Sequence, residues 1–70
     1  MNKRYSVTNR IRVARAEDRV TQRELAKTVG VSEAYINHVE NGRATPSVAV
    51  AIRIGKALGK TVDELFYEEE

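Results

Sequence analysis

The side chains best suited to recognising another molecule lie in the segment 32–43. If this segment forms a helix, a rotation of about 100° per residue places Ala34, Asn37, His38 and Asn41 together, nearly opposite Ile36. Amide and imidazole groups on a helix can hydrogen-bond base edges in a major groove, which is roughly 12 Å wide. This face is therefore a candidate nucleic-acid contact. The alternative is an ordinary solvated helix surface.

The residues needed for catalysis or metal binding are largely missing from the sequence. His38 is the only histidine, and cysteine is absent. A general acid or base at His38 would need an orienting partner, and no serine or acidic side chain stands at helical spacing to provide one. A metal site there would need a second histidine, a cysteine or a nearby carboxylate. The sequence therefore predicts no enzyme, no metal site, no cofactor and no small-molecule ligand.

The charge is unevenly distributed along the chain. The formal net charge is +2, but residues 1–43 carry nine basic and five acidic side chains, whereas residues 44–70 carry three basic and five acidic ones. In the first fifteen residues, no acidic neighbour accompanies the basic side chains of Lys3, Arg4, Arg10, Arg12 and Arg15. This pattern favours an anionic partner such as nucleic acid for the N-terminal half, with a solvated helix face as the alternative.

The length and composition indicate one small domain spanning residues 1–70. The chain has 70 residues and is 41% hydrophobic. No apolar run approaches the roughly 18 residues of a membrane span, so no membrane partner is expected. Within this domain we expect a basic N-terminal arm at residues 1–8 and an acidic C-terminal tail at residues 67–70.

Turn signals divide the chain into short segments with helical periodicity, and none shows sustained alternation, so the predicted fold class is all-α. Capping residues and glycines set the expected ends of the helices. The acidic residues 68–70 are expected to fray, because they oppose the dipole at a helix C-terminus. The five predicted helices are Asn9–Asp18, Thr21–Gly30, Ser32–Asn41, Val48–Leu58 and a short one from Thr61 to Leu65 or Tyr67.

The second and third predicted helices are joined by a tight turn. Thr21 and Glu24 have the spacing of a capping box at the start of the second helix. Gly30 can close that helix in a left-handed conformation, and Ser32 can cap the next one. So short a connection, with apolar Val31 in the corner, makes the two helices cross steeply. The pattern predicts a helix-turn-helix motif.

A family resemblance is carried by the stretch Thr21–Ser32 (TQRELAKTVGVS), by Ile36 and by three short motifs, which are Val39–Arg43, Pro46-Ser47 and Ala57-Leu58-Gly59. These residues resemble the Cro/C1-type helix-turn-helix family of phage and bacterial repressors, over about residues 11–66. The resemblance implies a five-helix, lambda-repressor-like DNA-binding domain with the helix-turn-helix at helices two and three. It also implies a cytoplasmic, nucleoid-associated protein of bacterial or phage type.

The function implied by this resemblance is sequence-specific binding of a double-stranded DNA operator by a transcriptional regulator. We expect a repressor that acts as a homodimer with its third helix in the major groove. An antitoxin-like or other protein-interaction helix-turn-helix module is the alternative.

The resemblance, with the helical face described above, assigns roles to individual residues. Arg15 and Glu40 are expected to form a structural ion pair between the first and third helices. The expected base contacts are Ser32, Glu33, Ala34, Tyr35, Asn37 and His38. The expected phosphate contacts are Gln22, Arg23, Asn41, Arg43 and Arg10.

Three positions depart from the family pattern. Ala14 stands where leucine is usual, so we expect Val7 or Tyr5 to fold back and fill the space. Arg19 replaces a common glycine, so it must adopt that turn without the conformational freedom of glycine, or the turn must differ. Lys60 occupies a position that is often apolar.

The fourth predicted helix carries an apolar strip outside the expected core. Relative to Ile54, Val48 and Ile52 fall on the outer side of the helix, beside Gly55. We expect these two residues, together with Phe66 and Tyr67, to form a two-fold dimer interface that sets the recognition helices about 34 Å apart. The alternative is that the first helix or the tail covers the strip.

Overall fold

The computed structural model describes residues 6–69, in which all five predicted helices are present. Two short strands accompany them, so the prediction of a purely helical fold is corrected. Tyr5, expected to fold back onto Ala14, lies outside the described residues, as do Lys3 and Arg4. The elements in chain order are β1 (Ser6–Asn9), α1 (Ile11–Asp18), α2 (Gln22–Val29), α3 (Glu33–Glu40), α4 (Val48–Leu58), α5 (Val62–Leu65) and β2 (Phe66–Glu69).

The two strands join the ends of the described chain. β1 pairs antiparallel with β2, so that Ser6 lies opposite Glu69 and Asn9 lies opposite Phe66. The fifth helix therefore ends at Leu65, the first of its two expected ends, and the expected fraying is wrong for Glu68 and Glu69, while Glu70 lies outside the described residues. Strands of four residues are too short to show a period-two pattern, and their pairing depends on contacts between residues far apart in sequence.

The helix-turn-helix forms as its capping residues predict. The Thr21 hydroxyl accepts a hydrogen bond from the Glu24 N–H at 3.0 Å, and the Glu24 carboxylate accepts one from the Thr21 N–H at 2.9 Å. Gly30 ends α2 with φ 87°, and the Ser32 hydroxyl accepts from the Tyr35 N–H at 3.0 Å. These local bonds satisfy backbone groups that a helix end would otherwise leave unpaired, and they fix where α2 ends and α3 begins.

A single asparagine links the start of α1 to the end of α3. The Asn9 side-chain oxygen accepts from the Ile11 N–H at 3.2 Å, and its amide nitrogen donates to the Val39 carbonyl at 2.9 Å. Arg10 occupies the N-cap position without a side-chain capping bond. Asn9 therefore caps α1 and also satisfies a carbonyl near the end of α3.

The core lies among the five helices. Its fully buried large side chains are Ile11, Leu25, Ile36, Val39, Ile54 and Leu65. Ala14 is buried, but Val7 is 51% exposed and does not fill the space beside it, so the expectation is wrong for Val7, and Tyr5 lies outside the described residues. An open depression instead borders Ala14, lined by Arg10, Val13, Glu17, Lys60, Glu64 and Leu65.

Two positions, one at the end of α1 and one within α4, place unusual demands on the backbone. Arg19 ends α1 in the left-handed region, at φ 55° and ψ 40°, so it adopts the turn that glycine would normally make. Gly55 is buried within α4, where the Lys60 N–H donates to its carbonyl at 2.9 Å. The expectation that Gly55 lies on an outer surface is therefore wrong, because the chain leaving α4 packs over it.

Candidate nucleic-acid interface

The exposed surface of α3 is polar, as its sequence predicts. Ile36 and Val39 are buried on its inner side. Glu33, Ala34 and His38 are exposed, and Asn37 is half-buried. With Gln22 of α2, these four residues line a shallow depression. The structure therefore brings one predicted phosphate contact together with four of the predicted base contacts.

The other two predicted base contacts have structural roles as well. Ser32 is exposed, but its hydroxyl caps α3. Tyr35 is half-buried, and its side chain packs against the core. Both lie at the N-terminal end of α3, where a helix entering a groove end-first makes its closest approach.

A buried carboxylate holds α3 against the two helices before it. Glu40 accepts hydrogen bonds from the Arg15 guanidinium at 2.6 Å and 3.0 Å, and from the Gln22 side-chain amide at 3.0 Å. Its side chain is fully shielded from solvent, whereas that of Arg15 is 14% exposed. Arg15 and Glu40, expected to pair, are thus in bidentate contact. Gln22, expected to contact a phosphate, uses one of its donors within the protein.

The Glu40 carboxylate is ionised at neutral pH. Burial raises the pKa of this carboxyl, but the hydrogen bonds from Arg15 and Gln22, with the charges of Arg15 and Arg12, outweigh burial and hold its pKa below the usual value. Because each oxygen has a partner, the buried charge is compensated.

Arg12 is a functional candidate that the sequence-based assignment missed. Its guanidinium donates to the Asn41 side-chain oxygen at 2.9 Å and lies 3.6 Å from the Glu40 carboxylate. Its side chain is 64% exposed, so the charge faces solvent beside the end of α3. The available signal was its position three residues before Arg15, which places both arginines on one side of α1.

The predicted phosphate contacts do not all lie together. Arg23 is exposed on α2, and Asn41 and Arg43 are exposed immediately after α3. Arg10 lies elsewhere, with its guanidinium 4.6 Å from the centre of the Tyr67 ring. This cation–π contact holds Arg10 over β2.

The predicted dimer residues are also divided. Val48 is 76% exposed and Ile52 is 42% exposed on α4. Phe66 packs against the core, and Tyr67 is half-buried beneath Arg10. Of these four residues, only Val48 and Ile52 form an open apolar surface of the kind the sequence predicts.

Residues 6–69 contain neither a metal-binding cluster nor a membrane-spanning helix. No group of three or more histidine, cysteine, aspartate or glutamate side chains within them is arranged to hold a metal ion. None of the described helices combines the length and apolar character needed to cross a membrane.

Comparison with known families gives a match over most of the chain. A family model described as helix-turn-helix matches residues 11–65. The chain belongs to the Cro/C1-type helix-turn-helix family. Members of this family are DNA-binding transcriptional regulators.

Two archaeal members of this helix-turn-helix family resemble the chain along nearly its full length. An HTH-type transcriptional regulator from Methanocaldococcus jannaschii is 36% identical over 62 residues, which cover 89% of this chain and 94% of that protein. Another from Methanothermobacter thermautotrophicus is 43% identical over 61 residues, which cover 86% of this chain and 88% of that protein.

Solved structures share the helix-turn-helix fold. A protein from Bacteroides fragilis superposes with a TM-score of 0.79 at 30% identity, covering 87% of this chain and 98% of that one. The clp gene regulator ClgR from Corynebacterium glutamicum superposes with a TM-score of 0.73 at 38% identity, covering 76% of this chain and 56% of ClgR.

Proposed function

We propose that this chain is a sequence-specific regulator that binds a double-stranded DNA operator as a homodimer and represses transcription by occupying it. The observation that carries the proposal is the exposed polar face of α3, held rigidly by the buried Glu40 carboxylate. A helix fixed at a set angle to its predecessor can enter a major groove without first being ordered.

The proposed base contacts come from the exposed side of α3. Glu33 accepts from a cytosine amino group, and Asn37 and His38 reach base edges further along the groove. Ala34 allows close approach because it is small and exposed. Ser32 and Tyr35 lie at the N-terminal end of this face and complete it.

The proposed backbone contacts flank this face on both sides. Arg23 lies on α2 and Arg43 follows α3, so these two side chains bracket the helix, whereas the Asn41 side chain, also expected to contact a phosphate, is engaged by Arg12 and Asn37. Gln22 retains an amide hydrogen for a phosphate after bonding Glu40. Such contacts set the position of the protein on the duplex without reading its sequence.

The proposed dimer contact centres on Val48 and Ile52. They stand four residues apart on α4, so both side chains lie on one side of the helix, and both are exposed. An apolar pair of this kind is a suitable centre for a contact between two copies, with Phe66 and Tyr67 contributing at its edge. Two copies would present their recognition helices to half-sites about one helical turn apart.

Selection from a random duplex pool tests the proposal directly. The full chain should enrich a short, two-fold symmetric sequence. In titrations at physiological salt it should bind that sequence at least about a thousandfold more tightly than a scrambled duplex of the same composition. Equal affinity for both duplexes would overturn the proposal. A reporter gene placed behind the enriched sequence tests repression, and unchanged or increased expression would contradict that part.

A further inference from the structure

Three polar side chains form a chain of hydrogen bonds that runs from α1 to the exposed face of α3. The Arg12 guanidinium donates to the Asn41 side-chain oxygen at 2.9 Å. The Asn41 amide nitrogen then donates to the Asn37 backbone carbonyl at 2.9 Å and to the Asn37 side-chain oxygen at 3.3 Å. Asn37 lines the depression with Gln22, Glu33, Ala34 and His38.

The direction of these bonds follows from which groups can donate. Arginine has only donors, so the side chain of Asn41 must turn its oxygen toward Arg12. Its amide nitrogen, with two hydrogens, is then left to face Asn37. That nitrogen can only be met by an acceptor, so the Asn37 side-chain oxygen turns toward Asn41 and its amide nitrogen turns away.

We propose that Arg12 and Asn41 are positioning residues that set the orientation of the Asn37 amide, and thereby the kind of base that Asn37 selects. This inference rests on the proposed function, because it concerns base recognition by α3. With its oxygen engaged by Asn41, Asn37 presents its amide NH2 group to the groove. That group matches acceptors on a base edge, which are N7 and O6 of guanine, O4 of thymine and N7 of adenine, the last standing beside a competing N6 amino donor.

The arrangement disfavours the usual pairing of asparagine with adenine. That pairing uses the amide oxygen and nitrogen together, against N6 and N7 of adenine. In this protein one side of the oxygen is already occupied by Asn41. Cytosine is disfavoured more strongly, because its amino group, a donor, would face the amide NH2 group of Asn37, which is also a donor.

Replacing Asn41 by aspartate reverses the pattern and gives the decisive test. Aspartate has the shape of asparagine but only accepts hydrogen bonds, so one oxygen would accept from Arg12. The other loses the bond to the Asn37 backbone carbonyl, turns away from that oxygen and accepts from the Asn37 amide nitrogen. Asn37 would then present its oxygen to the groove. In selections from a random pool, wild type should prefer guanine or thymine at one position, and Asn41→Asp should prefer adenine or cytosine there, each by about tenfold.

Two further variants separate orientation from charge. Arg12→Ala removes one of the two contacts that orient the Asn41 amide and leaves its bond to the Asn37 backbone carbonyl, so preference at that one position should relax in part. Arg23→Ala lowers the net charge by one, as Arg12→Ala and Asn41→Asp also do, but it removes no hydrogen bond to Asn41. It should weaken binding to all sequences and leave every base preference unchanged. Asn37→Ala should abolish the preference at the same position.

A measurement without DNA tests the hydrogen-bond chain itself. In the free protein, the Asn37 side-chain amide protons should exchange with water more slowly in Asn41→Asp than in wild type, because only the variant engages them. Unchanged exchange, or the same base preference in wild type and Asn41→Asp, overturns the inference while leaving sequence-specific binding intact. A wild-type protein that selects no sequence overturns the proposed function and the inference with it.

Discussion

The backbone oxygen of Lys60 lies 2.6 Å from the place where a Cβ atom at Gly55 would stand. Gly55 is buried within α4, and the Lys60 N–H donates to its carbonyl. The chain can turn from α4 toward α5 this closely only because residue 55 has no side chain. Alanine is generally favoured over glycine within a helix, but this contact reverses the preference at residue 55.

Gly55→Ala should therefore destabilise the protein by about 1–2 kcal/mol, because the cost of overpacking against backbone exceeds the gain in helix propensity. Urea denaturation measures the change. Arg53→Ala, at an exposed position of the same helix, is the control and should alter stability by no more than about 0.5 kcal/mol. A Gly55→Ala protein as stable as wild type would show that this turn adjusts freely.

Arg19→Gly should stabilise the protein by about 1 kcal/mol, since it relieves a left-handed backbone that other residues adopt at a cost. Thermal and urea denaturation both report the effect. Gly59→Ala is the opposite substitution at a comparable turn, with φ 66° and no atom within 4 Å of the added carbon. It should lower stability by about 1 kcal/mol through the backbone alone. Loss of stability in Arg19→Gly would mean that the arginine side chain makes a larger contribution than its conformation costs.

Glu40→Gln should destabilise the fold by about 2–3 kcal/mol, because it leaves the mostly buried Arg15 guanidinium without its anionic partner. Arg12→Ala removes a more exposed partner of the same carboxylate and should cost less than about 1 kcal/mol. Equal losses of stability in the two variants would contradict the larger contribution assigned here to the more buried pair.

The same carboxylate makes stability depend on pH. Because the folded-state pKa of Glu40 lies below its unfolded value, its contribution is present above the usual carboxyl range and is lost as pH falls toward the folded pKa. The pKa values of Glu24 and Glu64 are lowered too, chiefly by hydrogen bonds from the backbone N–H groups of Thr21 and Thr61. As pH is lowered from 7 to 3, the urea concentration at the midpoint of unfolding should fall for wild type, and it should fall less steeply for Glu40→Gln.

Val48→Asp should separate the proposed dimer into monomers without unfolding it, because Val48 is 76% exposed and an acidic residue is favourable in the first turn of a helix. Sedimentation equilibrium at micromolar concentration measures the mass. Val13→Asp, at an exposed valine in the first turn of α1, is the matched control and should leave the dimer intact. A wild-type protein with the mass of one chain would contradict the proposed dimer.

Arg43→Ala should weaken binding to every DNA sequence alike and reduce the slope of log affinity against log salt by about one unit, because one phosphate contact is lost. Glu33→Gln should instead change the preference at one base position, by about 1–3 kcal/mol. Binding titrations from 50 to 200 mM salt, about the range over which phosphate contacts show most clearly, distinguish the two effects. An unaltered slope in Arg43→Ala would exclude the proposed backbone contact.

Local interactions made much of this protein predictable from its sequence. The hydroxyls of Thr21 and Ser32 bond backbone groups three residues away, and Gly30 ends α2 within its own turn. The buried and exposed sides of α3 follow from the spacing of Ile36 and Val39. Such signals span at most one or two helical turns, so the residue sequence alone determined the helices and the polar face.

Contacts between distant residues were decided only by the tertiary structure. The pairing of Asn9 with Phe66, the close approach of Lys60 to Gly55 and the bond from Arg12 to Asn41 each join different elements. No periodicity or capping pattern encodes such contacts, because they depend on how the elements are oriented once the core has packed. The sequence alone thus determined which side chains lie on the candidate DNA-binding face, and tertiary packing decided how Arg12 and Asn41 orient Asn37 within it.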